Sequence, residues 1–228
     1  MKLLALDTSS TACSVAVANG DDLIESHVVE PREHTRILVP TINRLLSEAQ
    51  IALPDLDAIV LGNGPGSFIG VRIGASVAQG LAFGSGLKIV QVSSMSAVAA
   101  EVLATGDADR VVVAQDARMN QVYAGEYVRN TEGIPALDGE ERIVVCDFSF
   151  ESAVDFWAAG QGWERYPELL EANRDAITRV SDIDLPRARF LLPAGRTAFA
   201  NGLAVDPADI LPAYLRSKVA EKPHSGGD

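Results

Sequence analysis

One short pattern occurs twice in this sequence. Leu4-Ala5-Leu6-Asp7 is followed by Ser14-Val15-Ala16-Val17, and Val113-Ala114-Gln115-Asp116 is followed by Val122-Tyr123-Ala124-Gly125. Each copy is an apolar strand run closed by an aspartate, then a short polar turn, then a second strand run. Such self-similarity marks an internal duplication. It divides the 228 residues into an N-terminal half, 1–106, and a less regular second half, 107–228, whose last segment has the option of packing back on the first.

Hydrophobic periodicity fills in the elements around each copy. Strands are expected at Lys2–Asp7, 13–18 and 23–29, and Asn19-Gly20 joins the second to the third as a hairpin, since both residues tolerate positive φ. Leu38, Ile42, Leu45 and Ala49 recur at steps of four, three and four, which traces one face of a helix over 34–50. Ile37, Val39 and Leu46 widen that face, and Pro40 predicts a start near Val39 or a kink. A strand at Ala58–Gly62, a glycine-rich loop at 62–70, a helix at 71–83, a strand at 88–92 and a helix at 94–103 complete the half. The second half offers strands at 111–115, Gln121–Arg129 and 143–146, helices at 150–159 and 185–199, and a polar tail from Lys222 to Asp228 expected to be disordered. Two β-β-β-α-β-α units with mixed sheets, each ending its first strand on an aspartate, describe an α/β fold of the actin-like, ribonuclease-H type (ASKHA).

Composition narrows the function classes. Hydrophobic residues make up 47% and charged residues 22%, an ordinary globular balance. The formal charge of −12 repels phosphate backbones and argues against a dominant grip on nucleic acid by this chain alone. No run approaches the roughly 20 apolar residues of a membrane span. The opening residues lack a signal-peptide pattern, and Cys13 and Cys146 read as buried free thiols. Together these predict a cytoplasmic chain.

Two constellations could carry chemistry. Asp7-Thr8-Ser9 at a strand end, with Asp116 in the matching place, could hold a magnesium-bound water and donate to phosphate; the alternative is a hydroxyl-capped turn. Gly64, Gly66 and Ser67 in the loop before a helix could form an anion nest, or only a tight connection. Asp116 is followed by Ala117-Arg118-Met119-Asn120, with no glycine to let backbone approach phosphate, so these are expected to be degenerate phosphate loops. His27, His34 and His224 form no metal pair, no Gly-x-Ser-x-Gly elbow occurs, and no histidine can be assigned to Ser67. Catalytic residues and metal ligands are therefore expected to be absent. A different signal is the stripe Gly70, Gly74, Ala78, Ala82, flanked by Ile73, Val77 and Leu81. Glycine inside a helix costs about 1 kcal/mol relative to alanine, so close helix approach should compensate. The approaching surface is either the chain's own 38–49 helix, with Leu38, Ile42 and Leu45, or a partner.

The run Gly64-Pro65-Gly66-Ser67-Phe68-Ile69-Gly70-Val71-Arg72-Ile73-Gly74 resembles the signature of the TsaB (YeaZ) family. Leu6-Asp7-Thr8-Ser9 with Cys13-Ser14-Val15-Ala16, then Val92-Ser93-Ser94, Asp116-Ala117-Arg118, Pro212-Ala213-Tyr214-Leu215-Arg216 and Val219-Ala220 match it in order. Ile69 departs from the family's usual threonine and removes a hydroxyl from the loop. The resemblance implies a non-catalytic scaffold subunit for threonylcarbamoyl transfer to the adenosine 3′ of the anticodon in tRNA. It implies pairing with the catalytic paralogue TsaD through helices matching 38–49 and 71–83, recruitment of the P-loop ATPase TsaE, self-pairing when alone, and contact with tRNA only through the complex. No cofactor of its own is implied, although a nucleotide has room at the subunit boundary. An actin-like phosphotransferase and a glycoprotease-type metallopeptidase are the alternatives.

Overall fold

A computed structural model of the chain describes residues 1–150, 154–213 and 215. The tail 222–228 with His224, and Tyr214, Arg216, Val219 and Ala220 of the last motif, lie outside the described residues.

Strands β1 (Lys2–Asp7), β2 (Ala12–Asn19) and β3 (Asp22–Val29) form an antiparallel meander, with Leu4 opposite Val17 and Leu6 opposite Val15. β4 (Ala58–Gly62) and β5 (Ile89–Val92) join parallel on the far side of β1, giving the order β3-β2-β1-β4-β5. The central strands are buried on both faces, so β1 and β4 are continuous apolar runs rather than alternating ones.

The second sheet repeats this plan. β6 (Arg110–Arg118) pairs antiparallel with β7 (Gln121–Arg129), and β7 carries β8 (Pro135–Leu137) and β9 (Arg142–Val145). β10 (Phe156–Ala159) and β11 (Ile177–Val180) follow in parallel on the other side of β6. The order β11-β10-β6-β7-β8 thus puts β6 in the place of β1, β7 in that of β2, and β10 in that of β4. This is the duplicated, mixed-sheet actin-like fold.

Two expectations need correction. The helix expected over 150–159 is not formed over its second part. Phe156, Ala158 and Ala159 are buried in β10, and a short apolar run buried on both faces carries no period to separate it from a helix. For the helix expected over 34–50, the later start near Val39 or Pro40, one of the two options that Pro40 left open, is not taken: the helix runs from His34 to Glu48 (α1), through Pro40. Its His34, Leu38, Ile42 and Leu45 face is buried, and that packing holds the turn that proline leaves one hydrogen bond short. α2 spans Phe68–Ser85, capped by the Ser67 hydroxyl, which accepts from the Gly70 N–H at 3.3 Å, and closed by Gly86 at φ 70°. α4 (Gln161–Arg165), α5 (Pro167–Asn173) and β11 had no counterpart in the sequence reading.

The two sheets exchange helices. α3 (Ser94–Thr105) directs Ala97 to the first sheet's cluster of Leu3, Ala5, Val60 and Val90, and Met95, Val98 and Val102 to the second sheet's Val111, Val113 and Tyr127. In return, the 3₁₀ turn Ala188–Leu191 and α6 (Leu192–Ala200) place Ala188, Leu191 and Leu192 against the first sheet. α3 is apolar around most of its surface because it is covered on both sides.

Candidate functional site

The end of β1 and the glycine loop are packed into one knot. Asp7 is fully buried. Its Oδ1 accepts the Ser9 N–H and the Ser9 hydroxyl, both at 2.8 Å, and its Oδ2 accepts the Ser94 hydroxyl at 2.5 Å. Burial pushes the carboxyl above its ordinary range, against the hydrogen bonds from Ser94 and Ser9 that pull it down. Gly62 closes the remaining side, since a Cβ there would lie 2.0 Å from Oδ2.

The loop's backbone is committed to the same turn. The Ser67 N–H donates to the Ser9 carbonyl at 2.6 Å, the Gly64 N–H to the Ser94 hydroxyl at 3.0 Å, and the Thr8 hydroxyl to the Gly70 carbonyl at 2.7 Å. A Cβ on Gly66 would lie 2.2 Å from the Ser9 carbonyl oxygen, and one on Gly70 would lie 2.0 Å from that of Thr8. Glycine is needed here so that two backbones can touch. Asp7, Thr8, Ser9, Gly64, Gly66 and Ser67 are therefore brought together, in an arrangement whose hydrogen bonds close on themselves. Burial and the Asp7 charge push the nearby Cys13 thiol up to about 11, which keeps it protonated and unreactive.

The second aspartate is also engaged. Asp116 Oδ1 accepts from the Arg118 N–H and the Tyr166 hydroxyl, each at 2.8 Å, while Oδ2 is 3.1 Å from Arg118 Nη1 and 3.1 Å from Arg165 Nε. Arg118, Met119 and Asn120 take φ of 65°, 56° and 56°, a left-handed turn made without glycine. Between the two aspartate turns lies a cleft of ≈ 990 Å³ lined by Ser9, Thr11, Gly66, Ser67, Asp116 and Met119, among others. Among the described residues no group of three His, Cys, Asp or Glu side chains is placed to hold a metal ion.

The helical residues sort by face. Leu38, Ile42 and Leu45 are buried under α1, in the cluster formed with Leu6, Val15 and Leu61. Gly70, Gly74, Ala78 and Ala82 are buried as well; a Cβ on Gly74 would meet the Thr8 hydroxyl at 2.6 Å and Leu6 and Leu61 at 3.5 Å. The stripe Gly70 to Ala82, expected to meet either the 38–49 helix or a partner, faces the chain's own sheet, so its compensation is internal. Ile73, Val77 and Leu81 are half-buried. Ile73 and Val77 line, with Val39, Phe68 and Ile69, a groove of ≈ 370 Å³ between α1 and α2.

The outward face of α2 carries a second small-residue row, Ser76, Gly80 and Gly84, beside Phe83, which is 85% exposed. Among the described residues, a Cβ on Gly80 or Gly84 would meet nothing within 4 Å beyond its own stretch of helix. Ser94, Arg165 and Tyr166 are the site residues that sequence reasoning missed. Ser94 lay in a quoted motif and was signalled only by its hydroxyl. Arg165 and Tyr166 reach Asp116 from α4 and the residue after it, about fifty positions away, and carried no local signal.

Comparison with known proteins agrees with this geometry. The family model described as "TsaD: tRNA N6-adenosine threonylcarbamoyltransferase" matches residues 28–223. The "tRNA threonylcarbamoyladenosine biosynthesis protein TsaB" of Escherichia coli (strain K12) is 37% identical over 227 residues, covering 97% of each chain. That of Haemophilus influenzae is 36% identical over 235 residues, covering 97% of this chain and 96% of its own. The solved structure of YeaZ from Pseudomonas aeruginosa superposes with a TM-score of 0.87 at 38% identity, covering 94% of this chain and 99% of that one. With the duplicated fold, the glycine loop closed on the first aspartate turn and these relatives along almost its whole length, the chain belongs to the TsaB (YeaZ) family.

Proposed function

We propose that this chain serves tRNA threonylcarbamoyladenosine biosynthesis as a subunit that performs no transfer chemistry itself and binds a TsaD-like catalytic paralogue. The observation that carries the reading is the outward face of α2. Gly80 and Gly84 weaken the helix by about 1 kcal/mol each relative to alanine, and among the described residues nothing beyond their own stretch of helix lies within 4 Å of where their Cβ atoms would be. A partner helix crossing there recovers dispersion contacts from the exposed Phe83 and the groove beside Val39 and Ile73. The engagement of both aspartates supports the non-catalytic part, because the oxygens of each carboxylate already have partners within the chain, Ser9 and Ser94 for Asp7 and Arg118, Arg165 and Tyr166 for Asp116.

In this reading the same face pairs two copies when TsaD is absent, a TsaE-like ATPase joins the assembled pair, and any nucleotide sits at the subunit boundary. The complex works in the cytoplasm, and tRNA is held mainly by the other subunits, since a chain of formal charge −12 repels phosphate. Reconstituted tRNA modification with and without this chain tests the role: modification should fall at least tenfold when it is omitted, and unchanged modification would refute the reading. Phe83→Glu and Gly80→Leu should abolish co-elution with the TsaD-like subunit while leaving the circular dichroism spectrum intact. Magnesium-dependent ATP binding by the isolated chain, seen as calorimetric heat, would favour phosphotransfer instead.

A further inference from the structure

The chain passes from the second sheet back to the first over residues 184–188, and hydrogen bonds mark both ends of the crossing. On the second-sheet side, the Gln115 side-chain amide donates to the Asp184 carbonyl at 2.7 Å. On the first-sheet side, the Ala188 N–H donates to the Ser14 hydroxyl at 2.8 Å. Pro186, between them, lies on the wall of the cleft. The next residue, Arg187, acts as a clamp. Its Nη2 is 2.5 Å from Glu25 Oε2 on β3, and its Nη1 is 3.6 Å from Glu101 Oε1 on α3. Glu25 also accepts the Arg189 N–H at 3.2 Å. One guanidinium thus ties the crossing to the first sheet's edge strand and to the helix between the sheets. The Glu25 side chain is only 8% exposed, so salt screens its charge weakly.

His27 sits beside this clamp. It lies two residues from Glu25 on the same face of β3. It is also opposite Ser14, whose hydroxyl receives the Ala188 N–H. His27 Nδ1 and Arg187 Nε are both buried and have no hydrogen-bond partner among the described residues. A buried polar atom without a partner costs free energy, so the junction is held by its ion pairs and not by a saturated network. The charged groups acting on His27 are Arg187 on the crossing and Glu25 on its own strand, and Glu101 of α3 and Arg189 surround the same pair. Burial holds the imidazole below its ordinary value, Arg187 adds to that, and Glu25 opposes it. Burial also raises the Glu101 carboxyl, against the pull of Arg187, so acid acts on both acceptors of Arg187.

We propose that His27 is an acid-sensitive release for the crossing. Neutral His27 leaves Glu25 to Arg187. Once protonated, it draws Glu25 to itself and repels Arg187, so residues 184–188 slacken and the cleft opens at Pro186. A histidine held below its ordinary value keeps its stabilising contribution above about pH 6.5 and loses it as pH falls below that. Release therefore belongs to the acid side of neutrality, where histidine is the usual switch.

Nuclear magnetic resonance of the full chain reads the His27 ring and the amides of 187–191 in one pH titration. The ring should titrate below about 6.5, and the amides should move with the same midpoint. Hydrogen exchange of 184–191, corrected for its chemical dependence on pH, should rise roughly tenfold from about pH 7.5 to about pH 5 while β1 and β4 stay protected. In His27→Gln, whose polar side chain takes no proton, the rise should be less than about twofold. An equal rise in His27→Gln would overturn the proposal, and its removal by Glu101→Gln would assign the sensing to that carboxyl instead. A ring that titrates while the amides stay still, or amides that move with another midpoint, would overturn it from the parent chain alone, whether or not the variant folds. Loss of β1 and β4 protection over the same range would mean global unfolding and would overturn it as well.

Discussion

At the scale of single residues, contact decides what glycine and aspartate do here. A Cβ on Gly70 would lie 2.0 Å from the Thr8 carbonyl oxygen, whereas among the described residues one on Gly80 would meet nothing within 4 Å beyond its own stretch of helix. Gly70→Ala is therefore expected to destabilise by about 1–3 kcal/mol or more, and Gly80→Ala to stabilise the isolated chain by about 1 kcal/mol. Urea midpoints of the two variants check this, and equal shifts would contradict it. Asp7 gives a pH test. Burial raises its folded carboxyl above the unfolded value, so its stabilising contribution is complete below the unfolded value and is lost as pH rises through the folded one. The parent chain should lose stability relative to Asp7→Asn as pH rises above the unfolded carboxyl value of about 4. A gain over that rise would mean that the hydrogen bonds from Ser9 and Ser94 outweigh desolvation.

Elements were legible in proportion to how much of their packing was local. The Asn19-Gly20 hairpin and the Leu38-Ile42-Leu45 helical face could be read directly, because turn chemistry and a 3.6-residue period sit in the sequence itself. β10 was misread as helix because Phe156–Ala159 is a four-residue strand buried in the second sheet, and its partners β6 and β11 are distant in sequence. The stripe Gly70 to Ala82 was read as a close-contact surface facing either the 38–49 helix or a partner, and it is buried against the chain's own first sheet; sequence shows which residues are small but not which way the helix is rotated. The β6–β7 turn offers a further test. Asn120 holds φ 56° between Met119 and Gln121, a left-handed state that costs a non-glycine residue about 1 kcal/mol or more. Asn120→Gly should raise the chain's stability by up to about 1 kcal/mol in thermal melts, and a lowered midpoint would contradict this.

At the scale of the whole molecule, the exchange of helices between sheets makes the halves depend on each other. α3 closes the second core, and the 188–200 segment closes the first. Removing either would expose a buried sheet face, so unfolding should be a single transition. Both tryptophans, Trp157 and Trp163, lie in the second half. Their fluorescence should therefore change at the same urea concentration as far-UV circular dichroism, and separated midpoints would show independent halves. The sequence by itself determined the duplication, the mixed order of the first sheet's elements, the acidic surface and the family, because strand runs, turn residues and charge are local or additive properties. Only the tertiary structure decided that both aspartates are engaged, that Arg165 and Tyr166 reach Asp116, and that the outward row on α2 is Ser76, Gly80 and Gly84. Those depend on helix rotation and on contacts between residues far apart in the chain, and close packing in three dimensions sets them, not periodicity along one.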